Sequence, residues 1–185
     1  MMSRKIFAVV LAAVLLMALG GAALADDDYS REIAAKVRKF LVDDDWHFSF
    51  DDTKGRFTFS VKMRGELQSL EYVIRIHDDG YTVYATSPVN ADSDNSTIMN
   101  RVAEFISRAN YGLRNGNFEF DFRDGEIRYK VFVSCEDALP SIETVKRSIL
   151  IPGAMFKRYS PGMFDVMFRS SDAKTAVEKC ESDDD

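Results

Sequence analysis

Residues 118–131 read FEFDFRDGEIRYKV (Phe118–Val131), and this stretch decides the fold. Apolar and charged residues alternate on both sides of Asp124-Gly125 with the period of two that marks a half-buried strand. Asp-Gly suits the positive backbone angles of a two-residue hairpin turn. A turn there predicts Phe122 opposite Ile127, Phe120 opposite Tyr129 and Phe118 opposite Val131. On the other face Arg123 meets Glu126, Asp121 meets Arg128 and Glu119 meets Lys130. A single register therefore pairs apolar with apolar and acid with base.

Upstream the same logic recurs. Asp79-Gly80 predicts a second hairpin turn, with Ile76 opposite Val83 and Ile74 opposite Ala85. Before it lie the strand patterns Leu70, Tyr72, Ile74, Ile76 and Phe57, Phe59, Val61, Met63, and before those Phe48 and Phe50. Tyr29, Ile33, Val37, Phe40 and Leu41 recur at helical spacing, and Asp43–Asp45 should end that helix. A second helix is expected from Thr97 through Ala109, stopping at Asn110-Tyr111-Gly112. After the hairpin, Pro140-Ser141 opens a helix carrying Ile142, Val145, Ile149 and Leu150, which Pro152-Gly153 is expected to interrupt. Asp172 caps a last helix through Glu181. The order α-β-β-β(β)-α-β-β-α predicts an α+β domain, an antiparallel sheet flanked by helices.

The chain has 185 residues, of which 46% are hydrophobic and 29% charged, and a net charge of −6. That is the composition of a globular chain, and its acidity argues against a nucleic-acid partner. Arg4 and Lys5 are the only charges before Asp26. An apolar run from Ile6 to Leu19 and the small residues of Ala23-Leu24-Ala25 follow, the layout of a secretory signal peptide. Cleavage between Ala25 and Asp26 is expected, leaving residues 26–185 as one domain in the periplasm or medium, with no membrane tie after cleavage. An uncleaved membrane anchor is the competing reading. Outside the cytosol the two cysteines, Cys135 and Cys180, are a candidate disulfide contributing about 4 kcal/mol. Two free, buried thiols are the alternative.

A search for reaction chemistry returns little. The carboxylates sit in runs at helix ends and turns, where aspartate satisfies backbone donors. Asp92, Asp94 and Ser96 begin like a calcium loop, but Thr97 stands where its glycine belongs and Ala103 where its last ligand belongs. A helix cap explains them better. His77 is expected on the sheet face opposite Ile76. No phosphate loop, nucleophile elbow or dinucleotide fingerprint occurs. No catalytic, cofactor-binding or metal-ligating residue is assigned, and an enzyme is not expected.

The segment Thr97–Glu181 resembles the bacterial YbjN-domain family. The likeness is carried by Asn110-Tyr111-Gly112-Leu113, Gly116-Asn117-Phe118-Glu119, Asp124-Gly125-Glu126-Ile127-Arg128, Glu136-Asp137-Ala138 and Arg158-Tyr159-Ser160-Pro161. The resemblance implies a fold like type III secretion chaperones, and a non-enzymatic, often dimeric, protein-binding domain with regulatory or stress-related roles. The export signal departs from the cytosolic setting of such chaperones. The expected function is an exported, protein-binding module, chaperone-like or regulatory, with a homodimer or a protein client as partner. Val73, Tyr84 and Phe132 fall opposite the core face of their strands and are the candidate binding surface. Helices on both sheet faces would instead bury them. The alternatives are a structural envelope component and a hydrolase with paired carboxylates.

Overall fold

The computed structural model describes residues 29–182. The expected signal segment, with its Ala25–Asp26 junction, and the Asp183–Asp185 tail lie outside the described residues. Ser30 caps the first helix, α1 (Arg31–Asp43), by accepting the Ile33 backbone N–H at 3.2 Å. The predicted stripe Ile33, Val37, Phe40 and Leu41 is buried. The strands β1 (Ser49–Asp51), β2 (Arg56–Lys62), β3 (Ser69–Ile76) and β4 (Gly80–Thr86) follow, then helix α2 (Ser96–Asn110). The chain continues through β5 (Asn117–Phe120) and β6 (Ile127–Ser134) to helices α3 (Ile142–Phe168) and α4 (Ala173–Ser182). The fold is α+β. Six strands form one sheet in the order β1-β2-β3-β4-β6-β5, and every neighbouring pair is antiparallel. The α2 connection thus carries the chain to the far edge, and β6 returns into the place beside β4.

Both hairpins keep the predicted faces but shift register by two residues. Ile76 pairs with Tyr81 and Ile74 with Val83. The His77 N–H donates to the Gly80 carbonyl at 2.8 Å, so the turn is Asp78-Asp79, and neither aspartate has positive φ. Gly80 serves a different purpose. A Cβ there would stand 2.5 Å from the Val133 carbonyl oxygen, so glycine is what lets β4 and β6 approach. In the second hairpin Phe118 pairs with Tyr129 and Phe120 with Ile127. The Gly125 N–H reaches back to the Asp121 carbonyl at 2.9 Å. Gly125 alone in that loop has positive φ, +74°. A four-residue loop needs only one left-handed residue, and glycine supplies it at the last position. Phe122 consequently rides in the loop and is exposed rather than paired with Ile127. The charge partners change too. Glu119 takes both Arg128 (2.7 Å) and Lys130 (3.2 Å), while Arg123 folds onto Asp121.

Pro152-Gly153 does not interrupt the third long helix, which runs unbroken from Ile142 to Phe168 through Pro152 and Pro161. An interior proline costs about 3 kcal/mol. Here the apolar stripe Val145, Ile149, Phe156, Tyr159, Met163, Val166 continues in one helical phase and is buried throughout, and that packing outweighs the lost hydrogen bond. Ile142 and Leu150 leave the stripe and are exposed. Ser141 and Asp172 cap their helices as expected, accepting from Thr144 and Thr175 backbone N–H groups at 3.0 and 2.9 Å.

The core lies between the sheet and the helices. Phe118 meets Tyr129, Phe156 and Tyr159 edge to face, at centroid separations of 4.8, 5.2 and 5.8 Å. The Tyr81 hydroxyl, in the middle of the sheet, shares a buried 2.9 Å hydrogen bond with Ser148 of α3. Glycine at 162 lets α3 lie against Phe105 of α2 and Cys180 of α4.

Candidate functional site

Strand alternation sends one set of side chains toward the helices and the other set away from them. The outward set includes Val73 and Arg75 of β3, Thr82 and Tyr84 of β4, and Arg128, Lys130 and Phe132 of β6. Apart from Thr82 these are half-buried or exposed, whereas their inward neighbours Ile74, Tyr81, Val83 and Val131 are buried. Helices on both faces, the arrangement that would have buried the candidate surface, are not found among the described residues.

Val73, Tyr84 and Phe132 therefore share one uncovered face. Val73 and Tyr84 are direct cross-strand partners, and Phe132 lies one row further, opposite Thr82. The Arg128 guanidinium stacks 4.6 Å above the Tyr84 ring, held in place by Glu119. Phe132 is 53% exposed. Its ring leans over Gly80 and toward His77, whose centroid is 6.4 Å away. His77 Nε2 in turn shares a 3.0 Å hydrogen bond with the Thr82 hydroxyl, so Thr82 is buried on an otherwise open face. The expected position of His77, opposite Ile76, is the observed one.

The electrostatics are those of formed ion pairs. Side-chain and backbone hydrogen bonds from Arg123 hold the exposed Asp121 carboxyl down at about 2. Lys179, followed by Arg169, lowers Asp165; the Thr53 hydroxyl lowers Asp51; and the Thr175 backbone N–H lowers Asp172. A general acid working near neutrality needs a carboxyl shifted the other way. Burial raises the phenols of Tyr81, Tyr129 and Tyr159 to about 12. Asp92 accepts the Asp94 N–H at 3.1 Å and Asn95 caps α2, so the calcium-like start is a capping turn.

Cys135 and Cys180 are both free, which corrects the candidate disulfide. They belong to different neighbourhoods. The Cys135 N–H bonds the Asp79 carbonyl beside the β3–β4 turn, whereas Cys180 is buried under α3 against Tyr159 and Gly162. Burial raises both thiols above their ordinary value. Among the described residues no group of three or more His, Cys, Asp or Glu side chains is placed to hold a metal ion, and no helix is long and apolar enough to cross a membrane.

Sequence reasoning located the face but missed its charged end, where Lys54, Arg56 and Arg75 converge beside His77. Strand alternation alone places Arg56 and Arg75 outward; only the β2–β3 register shows them to be neighbours. No family model matches the chain, and neither a curated protein nor a solved structure matches it.

Proposed function

We propose that the chain is an exported, non-enzymatic module that holds another polypeptide on the uncovered face of its sheet. One observation carries the reading: a six-stranded sheet has its helices on one side, and on the other side Phe132 stands exposed beside the Tyr84–Arg128 stack. A solvated antiparallel face is ordinarily polar. Aromatic rings and a guanidinium platform are instead the residue types that dominate binding energy at interfaces. The partner suited to this face brings apolar side chains to Val73 and Phe132 and acidic ones to the flanking cations. A second copy or a separate client meets that description, in keeping with the resemblance to YbjN domains. Export agrees with the reading, since it places the face outside the cytosol.

The test compares Phe132→Gln with Leu150→Gln, a similarly exposed apolar residue (43%) on the helical side. Light scattering reads self-association, and capture from envelope and medium proteins reads clients. Loss of association by at least tenfold in Phe132→Gln, with Leu150→Gln unchanged, is expected for a hot-spot ring. Equal behaviour of the two variants sinks the proposal.

A further inference from the structure

We propose that the hollow where the β1–β2 turn closes over the end of β3 is a binding site for a phosphate-class oxyanion. The inference concerns a small ligand and does not depend on the sheet face holding a polypeptide.

The hollow has a volume of about 320 Å³ and is lined by Thr53, Lys54, Arg56, Arg75, Ile76 and His77. By liquid volume that is room for about ten waters, so a phosphate carried on a larger group fits as well as a bare ion. The decisive feature is the strand register. The Ile76 N–H donates to the Gly55 carbonyl at 2.9 Å, which makes Gly55 and Ile76 a hydrogen-bonded pair. Arg56 and Arg75, the next pair, then stand directly opposite each other in the non-hydrogen-bonded position. Side chains are closest there, and like charges so placed repel.

The protein does little to relieve that repulsion. Asp51 is the only carboxylate within ion-pair reach of these cations among the described residues, at 3.7 Å from Arg56 and 3.9 Å from Lys54. Its other oxygen accepts from the Thr53 N–H and hydroxyl, at 3.1 and 2.7 Å. Asp52 of the same turn accepts the Tyr29 hydroxyl at 3.0 Å. Arg75 has no ion-pair or hydrogen-bond partner for its guanidinium among the described residues. Arg56 Nε is buried and lacks any acceptor, an unmet donor of the kind native structures seldom keep. Two opposed guanidinium forks, an ammonium and an imidazole are the donor set that recognises a phosphate, whose several oxygens can take bidentate bonds from both arginines at once. In a chain of net charge −6 this concentration of cations is not explained by overall charge.

The test is calorimetric titration of the full chain with inorganic phosphate, ionic strength being held constant with sodium chloride. Saturable binding of one phosphate per chain is expected. Arg75→Gln, an exposed substitution that leaves the core untouched, should weaken it by about tenfold or more. Arg56→Lys should weaken it less, because charge is kept while the fork is lost. Lys174→Gln, on α4, should bind as the wild type does. A thermal shift with phosphate that Arg75→Gln abolishes would corroborate the heat signal. Vesicles of phosphatidylcholine with and without phosphatidic acid identify the source. Retention on phosphatidic acid that Arg75→Gln removes assigns a lipid headgroup, and free phosphate binding without retention assigns a soluble phosphate. No saturable heat, heat reproduced by chloride alone, or wild-type binding by Arg75→Gln would overturn the site.

Discussion

Gly125→Ala probes the joint between the second hairpin and the β4–α2 connection. Gly125 has a φ of +74°, and its carbonyl accepts the N–H of the buried Ala91 at 3.0 Å. A methyl group added at Gly125 would run into the Ala91 carbonyl, with that carbon 2.9 Å away. Two costs follow. A non-glycine residue in the left-handed region costs about 1–2 kcal/mol. Displacing the Ala91 backbone forfeits a hydrogen bond contributing about 0.5–1.5 kcal/mol. The expected destabilisation is about 2–3 kcal/mol, or very roughly 4–12 °C in Tm for a chain of this size. Gly112→Ala isolates the first cost, since Gly112 has a φ of +88° and nothing within 4 Å of the added carbon. Denaturant unfolding should therefore place Gly125→Ala about 1 kcal/mol below Gly112→Ala, with faster hydrogen exchange at Ala91 in the former only. Equal losses in the two variants, or an undisturbed Ala91 amide, would refute the claim that the loop is clamped there.

The Tyr81–Ser148 pair should respond asymmetrically. Tyr81→Phe leaves Ser148 donating to the Val145 carbonyl at 2.8 Å and should cost about 1 kcal/mol, whereas Ser148→Ala strands a buried phenol and should cost about 1–3 kcal/mol by the same unfolding assay. Acid stability should follow the ion-paired carboxylates. Their folded-state values are depressed, so the unfolded chain binds more protons, and the stability they supply is intact above about 4 and is lost as pH falls toward the Asp121 value of about 2. Asp165→Asn, which cuts the ties to Lys179 and Arg169, should flatten the dependence of Tm on pH in that window while Glu32→Gln leaves it unchanged.

Much of this fold was legible because side-chain alternation tolerates error in a particular way. The turn residues Asp79-Gly80 and Asp124-Gly125 point to hairpins two residues out of register, since the glycines answer to other demands: Gly80 to the close approach of β6, Gly125 to the end of a longer loop. A slip of two leaves every side chain on its own face. The core stripe and the outward positions of Val73, Tyr84, Phe132 and His77 therefore survive the wrong register. A slip of one would have inverted them. Pro152 was illegible for a different reason, because the local cost of proline is opposed by tertiary packing that no window of a few residues contains.

Chemistry-bearing neighbours are more demanding than faces. Whether Arg56 stands opposite Arg75 depends on how the Met63–Gln68 connection returns the chain, and that closing contact is a single backbone bond, Met63 N–H to the Gln68 carbonyl at 2.8 Å. Neither arginine is unusual alone, since polar positions of a half-solvated strand are commonly charged. Their opposition becomes visible only once the pairing is known, and it then runs against the cross-strand charge matching that the second hairpin obeys with Glu119, Arg128 and Lys130. The same sheet thus neutralises its charges at one end and leaves them unopposed at the other. Stability alone would favour the same solution at both ends, so the unmatched end is where a ligand's charge has something to do.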